Sequence, residues 1–457
     1  MTAPVFRSQR LPAVPDLLAL HRQFPQRYPF ALISTAGLLD SGTGMEQARY
    51  DILFACPQQS LVLRHDYRLT GVADCHRQGD FLHSFNRWFA NNRIETTVTQ
   101  LPFTGGWFVY LAYELAQQIE PRLRLPAAGE GDIIACATRI PAAVIVDHRQ
   151  HIATVVAENE FAACIDSIAE DIAQLTTPPS AAIAIAHCDE DDEAPYLEQV
   201  ARIKQYIVDG DIFQANLSRQ WWLGLANQPP DSDIFKALAR ANPASFAALA
   251  RFDDFSIISS SPERLVSVRD GVVETRPIAG TRPRASGEDD ARLSQELMQH
   301  PKEQAEHIML IDLERNDLGR ICQPGSIHVN ELLTLESWQH VHHIVSNIRG
   351  ELKPGVLPGD VLRAMFPGGT ITGCPKVRCM EILAEQEQQA RGAYTGSLGY
   401  INRDGSMDSN ILIRTLVRRG RQIHFRAGGG IVADSEPQAE LAETRAKATG
   451  LLKAFEH

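Results

Sequence analysis

Three groups of residues in this sequence have the types and spacing to do chemistry. The first is Phe366-Pro-Gly-Gly-Thr-Ile-Thr-Gly-Cys-Pro-Lys-Val-Arg-Cys-Met380, a glycine-rich loop that reads straight into a helix. Its paired glycines let the backbone turn without a Cβ, and Pro375 suits the first helical position. Free N–H groups, the hydroxyls of Thr370 and Thr372 and the positive end of the helix dipole would converge on a carboxylate or phosphate. A plain turn and helix start is the ordinary alternative. The second group is Glu306, which shares a helical face with Met309, Leu310 and Leu313. A carboxylate in an apolar stripe is costly unless compensated, so it is either a salt-bridged residue at the stripe's edge or a ligand of a hard cation. The third is the terminal helix from Pro437 to Phe455, where Glu440, Glu443 and Lys447 share a face about a quarter turn from Leu441, Ala448, Leu452 and Phe455. Two carboxylates and an ammonium suit Mg²⁺ with a ligand's oxygens. A solvated stripe is the other reading.

Mixed short strands and helices must position these groups. Phe30 to Ser34, Leu61 to Leu63 and Ala142 to Asp147 read as strands, and Gly105-Gly-Trp-Phe-Val-Tyr-Leu-Ala-Tyr113 as a strand passing close to another backbone. Thr176 to Ser180 and the acidic run Asp189 to Glu193 mark a surface connection, which places a boundary near residue 190. Beyond it, Tyr196 to Val208 has helical spacing, Ile212 to Arg219 alternates like a strand, and Pro301 divides a helical region. Val341 to Ser346 reads as a strand, Gly392 as the end of the helix begun at Pro375, Tyr394 to Tyr400 as the start of a hairpin, and Ser409 to Leu416 as a strand with Arg414 among apolar residues.

The 457 residues allow two or three domains or one large interleaved one, and 44% hydrophobic residues can fill a substantial core. With 56 acidic residues against 44 basic ones the net charge is −12, and no basic block invites duplex nucleic acid. An anionic substrate must then be captured by a few aimed donors. Eight cysteines lack CxxC pairs, which fits reduced thiols in a cytosolic protein. Met1 to Pro15 has no long apolar stretch and no run approaches the roughly 20 residues of a membrane span. A soluble, untargeted, cytoplasmic protein is expected.

Pro277-Ile-Ala-Gly-Thr-Arg282, Ala305 to Gly319, Phe366 to Met380 and Ala427-Gly-Gly-Gly-Ile-Val-Ala-Asp-Ser435 together resemble the chorismate-utilising enzymes. The match spans roughly residues 195 to 455, and the N-terminal part resembles the variable half of the same component-I synthases. The resemblance implies an α+β fold: two large antiparallel sheets in a sandwich with outer helices, and the active site in a cleft. It implies a component-I-like region over residues 1–190 and a chorismate-binding catalytic region over 191–457. Water-using members carry a lysine where this chain has Gln214, which implies an ammonia user. Gly368 to Gly373 and Ala427 to Ile431 look like the aminodeoxychorismate branch. Asn242-Pro-Ala-Ser-Phe246 departs from the anthranilate branch.

Carried over by resemblance, Glu306, Glu440 and Glu443 hold Mg²⁺, which binds the ring carboxylate of chorismate. Tyr394, Arg414, the backbone of Gly428, Gly429 and Gly430, and Lys447 hold the enolpyruvyl carboxylate, while Gly280, Thr281 and Thr370 line the ring. Glu263 is the general acid for the departing hydroxyl, and His343 orients the leaving region unless it is simply a hydrogen-bonded core histidine. The nucleophile is ammonia from a separate glutaminase subunit, since this chain has no Cys-His-Glu amidotransferase pattern. One residue departs from the branch: Ala279 stands where many members have a nucleophilic lysine, and a methyl group cannot attack. Anthranilate synthesis, or an inactive chorismate-fold subunit that only binds a partner, are the alternatives.

Overall fold

A computed structural model describes all residues except 1–4, 36–47, 73–78, 96–98, 285–287, 338–340 and 457, with the backbone alone at 281, 283, 288, 291, 301, 302 and 341. Ala142–Asp147 is buried at every position, as is Gly106–Leu111, the pattern of strands covered on both faces. Among the described residues such strands assemble into two antiparallel sheets of twelve and eleven strands, with helices outside them. The α+β sandwich expected from the sequence is therefore the fold.

The larger sheet runs Phe6–Arg10, Ile152–Glu158, Ala142–Asp147, Tyr50–Ala55, Phe30–Ile33, Phe246–Arg251, Ser256–Ser261, Thr415–Arg419, Gln422–Ile431, Gln214–Leu225 and Ile185–Glu190, with Gly373–Cys374 also on Gln214–Leu225. The smaller runs Ile278–Pro283, Val341–Glu351, Val272–Arg276, Arg264–Arg269, Met407–Asn410, Ser397–Asn402, Gly106–Leu111, Ile133–Ile140, Ser60–Arg64 and Leu69–Thr70, with His328–Ser337 on Val341–Glu351. Residues on either side of 190 share both sheets: Ala247 pairs with Ile33 in one, Ser397 with Leu111 in the other. The acidic run at 189–193, read as a surface connection, instead begins as an edge strand, Asp189 lying opposite Trp222, before the helix Glu193–Val208. Charged side chains are tolerated there because an edge strand's outer side faces water. Gly106 does pass close to another backbone, since a Cβ on it would come 2.0 Å from the Ile401 carbonyl oxygen.

The inner faces meet through Phe30, Phe54, Phe108, Ile145, Ile257 and Leu398. Phe30 stacks on Phe108 with ring centroids 4.0 Å apart. Outer faces are sealed by helices: Asp231–Ala241 and Pro437–Leu452 on the larger sheet, Phe81–Asn92 and Pro358–Met365 on the smaller. No helix among the described residues is long and apolar enough to cross a membrane.

Two of the short connections that carry the chain from one sheet to the other lie in its C-terminal half. It leaves the larger sheet at Ser261 and enters the smaller at Arg264; it makes the return journey between Asn410 and Thr415. The continuous strand expected from Ser409 to Leu416 is thus two strands in two sheets, joined by a segment in which Arg414 takes a left-handed φ of 50°. Phe108 bridges the sheets near the middle, so Phe108→Ala is expected to destabilise the chain by about 3–5 kcal/mol, read as a lower urea midpoint. A loss under about 1 kcal/mol would show that this inter-sheet contact is dispensable.

Candidate active site

Glu263 and Arg414 occupy the two crossings between sheets, and the crossings are stitched together. Ile411 N–H donates to the Glu263 carbonyl at 3.0 Å, and Ser260 N–H to the Arg414 carbonyl at 3.1 Å. Glu263 is 5% exposed, and the Thr370 hydroxyl donates to its Oε1 at 2.7 Å. Burial pushes the Glu263 carboxyl up to about 7, while Thr370, the Ile278 N–H and the Arg414 charge pull the other way. It therefore carries a proton near neutral pH, as a general acid must. Burial likewise lowers the pKa of the Arg414 guanidinium, with Glu263 opposing.

His343 lies on the neighbouring strand with Gly280, whose carbonyl accepts from the ring. Burial first, and then Arg414, push the imidazole down to about 4, so at neutral pH it is an uncharged hydrogen-bonding ring. Gly280 has φ 72°, and a Cβ there would meet the Glu303 carboxylate and Leu297, each at 2.9 Å. Ala279 is buried opposite Ile344. Thr281 pairs with His343 through its backbone, but its side chain lies outside the described residues. Glu263, Arg414, Thr370, His343 and Gly280 thus form one group.

A second group forms on the glycine strand Gln422–Ile431, which pairs with Gln214–Leu225 so that Gly430 faces Asn216 and Gly428 faces Ser218. Strand alternation sends Gly428 and Gly430 to one face and Gly429 to the other. A Cβ on Gly430 would fall 2.2 Å from Gln214 Nε2, and one on Gly428 2.7 Å from the Tyr394 hydroxyl. A Cβ on Gly429 would sit 3.1 Å from Glu440 Oε2 and 3.5 Å from Glu443 Oε1. Gln214 Nε2 donates to Glu306 Oε1 at 2.9 Å, and Lys447 Nζ reaches both the Gly428 carbonyl and Glu443 Oε1 at 2.8 Å. Glu306, Glu440 and Glu443 therefore approach one three-glycine stretch from its two faces. Among the described residues no three His, Cys, Asp or Glu form a ready metal cluster. Glu440 and Glu443 offer carboxylate oxygens of the kind Mg²⁺ takes, against a backbone surface that a Cβ would fill, while Glu306 lies on the other face of the strand, held by Gln214.

The glycine-rich loop departs from the expected anion cradle. It makes a tight turn at Gly369–Ile371 and a two-residue strand at Gly373–Cys374, and the helix begins only at Lys376, with Pro375 as its cap. The Thr372 hydroxyl is committed to the Gly368 and Gly369 carbonyls at 3.0 and 3.2 Å, and Thr370 to Glu263. Lys376 pairs with Asp317, and Arg378 with Glu381 and Asp211. The loop holds the acid rather than an anion. The helix also ends early, at Glu387, because Gln388 takes the left-handed cap with φ 53° instead of Gly392.

Sequence reasoning missed the residues that join the two groups. Arg391 grips Glu387 through Nε and a terminal nitrogen, each at 2.8 Å, and donates to the Asn216 carbonyl at 2.6 Å. Glu387 also accepts from the Ser218 N–H and hydroxyl at 3.0 and 2.8 Å. A Glu and an Arg four apart across a helix end were the available signal, but the same spacing usually marks a weak surface pair.

Comparison with known proteins identifies the family. A family model described as chorismate binding enzyme matches residues 40–453. The chain belongs to the chorismate-binding enzyme family. An "Anthranilate synthase component I-like protein" of Synechocystis is 41% identical over 371 residues, 80% of this chain and 76% of that one. The "Aminodeoxychorismate synthase component 1" of Klebsiella aerogenes is 36% identical over 457 residues, 98% of each chain. Among solved structures, anthranilate synthase component I from Streptococcus pneumoniae superposes with a TM-score of 0.78 at 27% identity, covering 91% of this chain and 96% of that one.

This chorismate-binding enzyme keeps its central acid at a cost that depends on pH. Between the ordinary glutamate value and about 7, folded Glu263 holds a proton that the unfolded chain has released, so its contribution to stability falls as pH rises through that window. Glu263→Gln removes the term. In urea unfolding the variant is expected to gain on the parent between pH 5 and pH 8 by at most about 3 kcal/mol; a difference that does not change with pH would place the carboxyl in an ordinary environment.

Proposed function

We propose that this chain is an aminodeoxychorismate synthase component I acting in the cytoplasm: it replaces the C4 hydroxyl of chorismate with an amino group from ammonia, giving 4-amino-4-deoxychorismate. The observation that carries the reading is the buried Glu263, held by Thr370 beside Arg414. The proton on Glu263 passes to the C4 oxygen as the C–O bond breaks, and water leaves. Ammonia forms the new C–N bond at C4, and the Glu263 carboxylate recovers the proton that the resulting ammonium sheds, which balances the step. His343, being neutral, accepts or donates a hydrogen bond near the departing oxygen without adding charge. Tyr394, Arg414 and the Gly428–Gly430 backbone orient the enolpyruvyl carboxylate. Glu440 and Glu443 would hold Mg²⁺, with Glu306 completing the set on release from Gln214, and the ion's charge would neutralise the ring carboxylate and draw electron density from the ring.

Gln214, a neutral amide tied to Glu306, stands where an activating lysine would favour water, and this supports ammonia as the nucleophile. A separate glutaminase would supply it, and the product would enter 4-aminobenzoate and folate synthesis. The loops at 368–373 and 427–431, and the full-length likeness to the Klebsiella enzyme, support the branch. Ala279 favours a second reading, anthranilate synthesis, because no amine is present at that position to form an adduct with the ring.

Incubation of the purified chain with chorismate, Mg²⁺ and an ammonium salt is expected to give a nonaromatic amino product by mass spectrometry, one that needs an added lyase to become 4-aminobenzoate. Direct formation of fluorescent anthranilate would establish the second reading, and no product at all would favour a partner-binding subunit. Glu306→Gln and Glu443→Gln should each lower kcat/KM by about 100-fold or more while leaving the melting temperature near the parent's. Unchanged activity would remove both from the metal site.

A further inference from the structure

Glu314 sits in the helix Pro301–Gly319, two turns beyond Glu306, and is 3% exposed. Its Oε1 accepts the Gly369 N–H at 3.2 Å, and a Cβ on Gly369 would lie 3.0 Å from that oxygen and 2.6 Å from Leu313. Its Oε2 is buried with no hydrogen-bond partner among the described residues. A hydrocarbon of similar volume would be cheaper at this position, so the carboxyl is best explained by what a hydrocarbon cannot do, which is to hold the Gly369 amide. Gly369 and Thr370 are consecutive in one tight turn. The amide of the first bonds to Glu314 and the hydroxyl of the second to Glu263. Two buried carboxyls are thus joined through a single turn.

We propose that Glu314 is a positioning residue for the proton donor: by gripping the Gly369 amide it fixes the turn that keeps the Thr370 hydroxyl aimed at Glu263. The proposal rests on Glu263 acting as the acid. The charged groups facing Glu314 are Asp317 on its own helix, Lys376 at the start of the helix Lys376–Glu387, and Glu263 at the crossing. Burial and then the Asp317 charge push the Glu314 carboxyl up, Lys376 and the Gly369 amide oppose, and Glu263 pushes it further up. Lys376 is itself ion-paired with Asp317, so it is shared.

Two variants separate these roles. Glu314→Gln keeps an oxygen for the Gly369 amide but cannot ionise; Glu314→Leu removes both. With chorismate, Mg²⁺ and ammonium, the Leu variant is expected to lose about tenfold in kcat with the KM for chorismate little changed, and hydrogen exchange across residues 366–372 should quicken. The Gln variant should keep parent-like kcat and parent-like exchange. Parent-like kcat and exchange in the Leu variant would overturn the proposal; should that variant fail to fold, Glu314→Ala, which also removes the acceptor, is read in the same way. A parent chain that makes no aminated product would fail the functional reading, and unchanged exchange in the Leu variant would then still sink the tether itself.

Discussion

The structure depends on one buried ion pair, Glu387 with Arg391. Removing either partner of such a pair leaves an uncompensated charge in low dielectric, typically at a cost of about 3–5 kcal/mol, and here the geometry of the site would go with it. Arg391 reaches the Asn216 carbonyl at 2.6 Å and the Ile371 carbonyl and Thr395 hydroxyl at 3.4 Å each. Its guanidinium lies over the rings of Tyr113 and Tyr394 at 4.8 and 5.6 Å. Glu387 holds Ser218, and Arg426 on the glycine strand reaches the same carboxylate at 3.4 Å. Strand 214–225, the 369–371 turn, the Tyr394 loop and the glycine strand all meet at this pair. The acid group and the glycine group keep their spacing because both are tied to it.

The two crossings between sheets are the second constraint. A side chain in mid-strand points into the sandwich or out of it, and each of those environments is already filled by apolar residues or helices. Where the chain changes sheets, the alternation lapses and polar side chains can lie between the layers, while the crossings themselves are bonded backbone to backbone. That is where Glu263 and Arg414 sit, with Arg414 accepting a left-handed conformation that an ordinary strand would not require.

The crossings also explain what was legible in the sequence and what was not. Pro301 marks a helix start because proline lacks the N–H that a first-turn residue does not use, and the helix Pro301–Gly319 does begin there. Short apolar runs identified Phe30–Ile33 and Ala142–Asp147, and alternation the strand that pairs with the glycines. Periodicity reports which face a residue takes, though, and says nothing about which sheet a strand joins, so Ser409 to Leu416 read as one strand. The role of Thr370 was hidden for a related reason. A hydroxyl in a glycine-rich loop is equally suited to an incoming anion or to a buried carboxylic acid, and only the arrival of Glu263 from over a hundred residues away decides between them. Glu440 and Glu443 were readable as a pair on one helix face, but their relation to Gly429 depends on how that helix lies across the sheet.

The same sandwich holds buried carboxyls in opposite charge states, and the difference lies in the number of cations aimed at each. Burial raises the pKa of Glu387, but Arg391 and Arg426 together outweigh it and hold the carboxyl below the ordinary range, so it is a permanent anion and a structural anchor. Glu114 accepts the Arg391 and Gly392 amides, yet its burial wins and it stands at about 7. Glu263 has one guanidinium nearby, and that guanidinium is itself disfavoured by burial. A second cation beside Glu263 would turn it into another Glu387, firmly ionised and unable to give a proton; with none, the carboxyl would hold its proton too tightly to part with it. One Arg414, its own charge disfavoured by burial, leaves the Glu263 carboxyl between those limits.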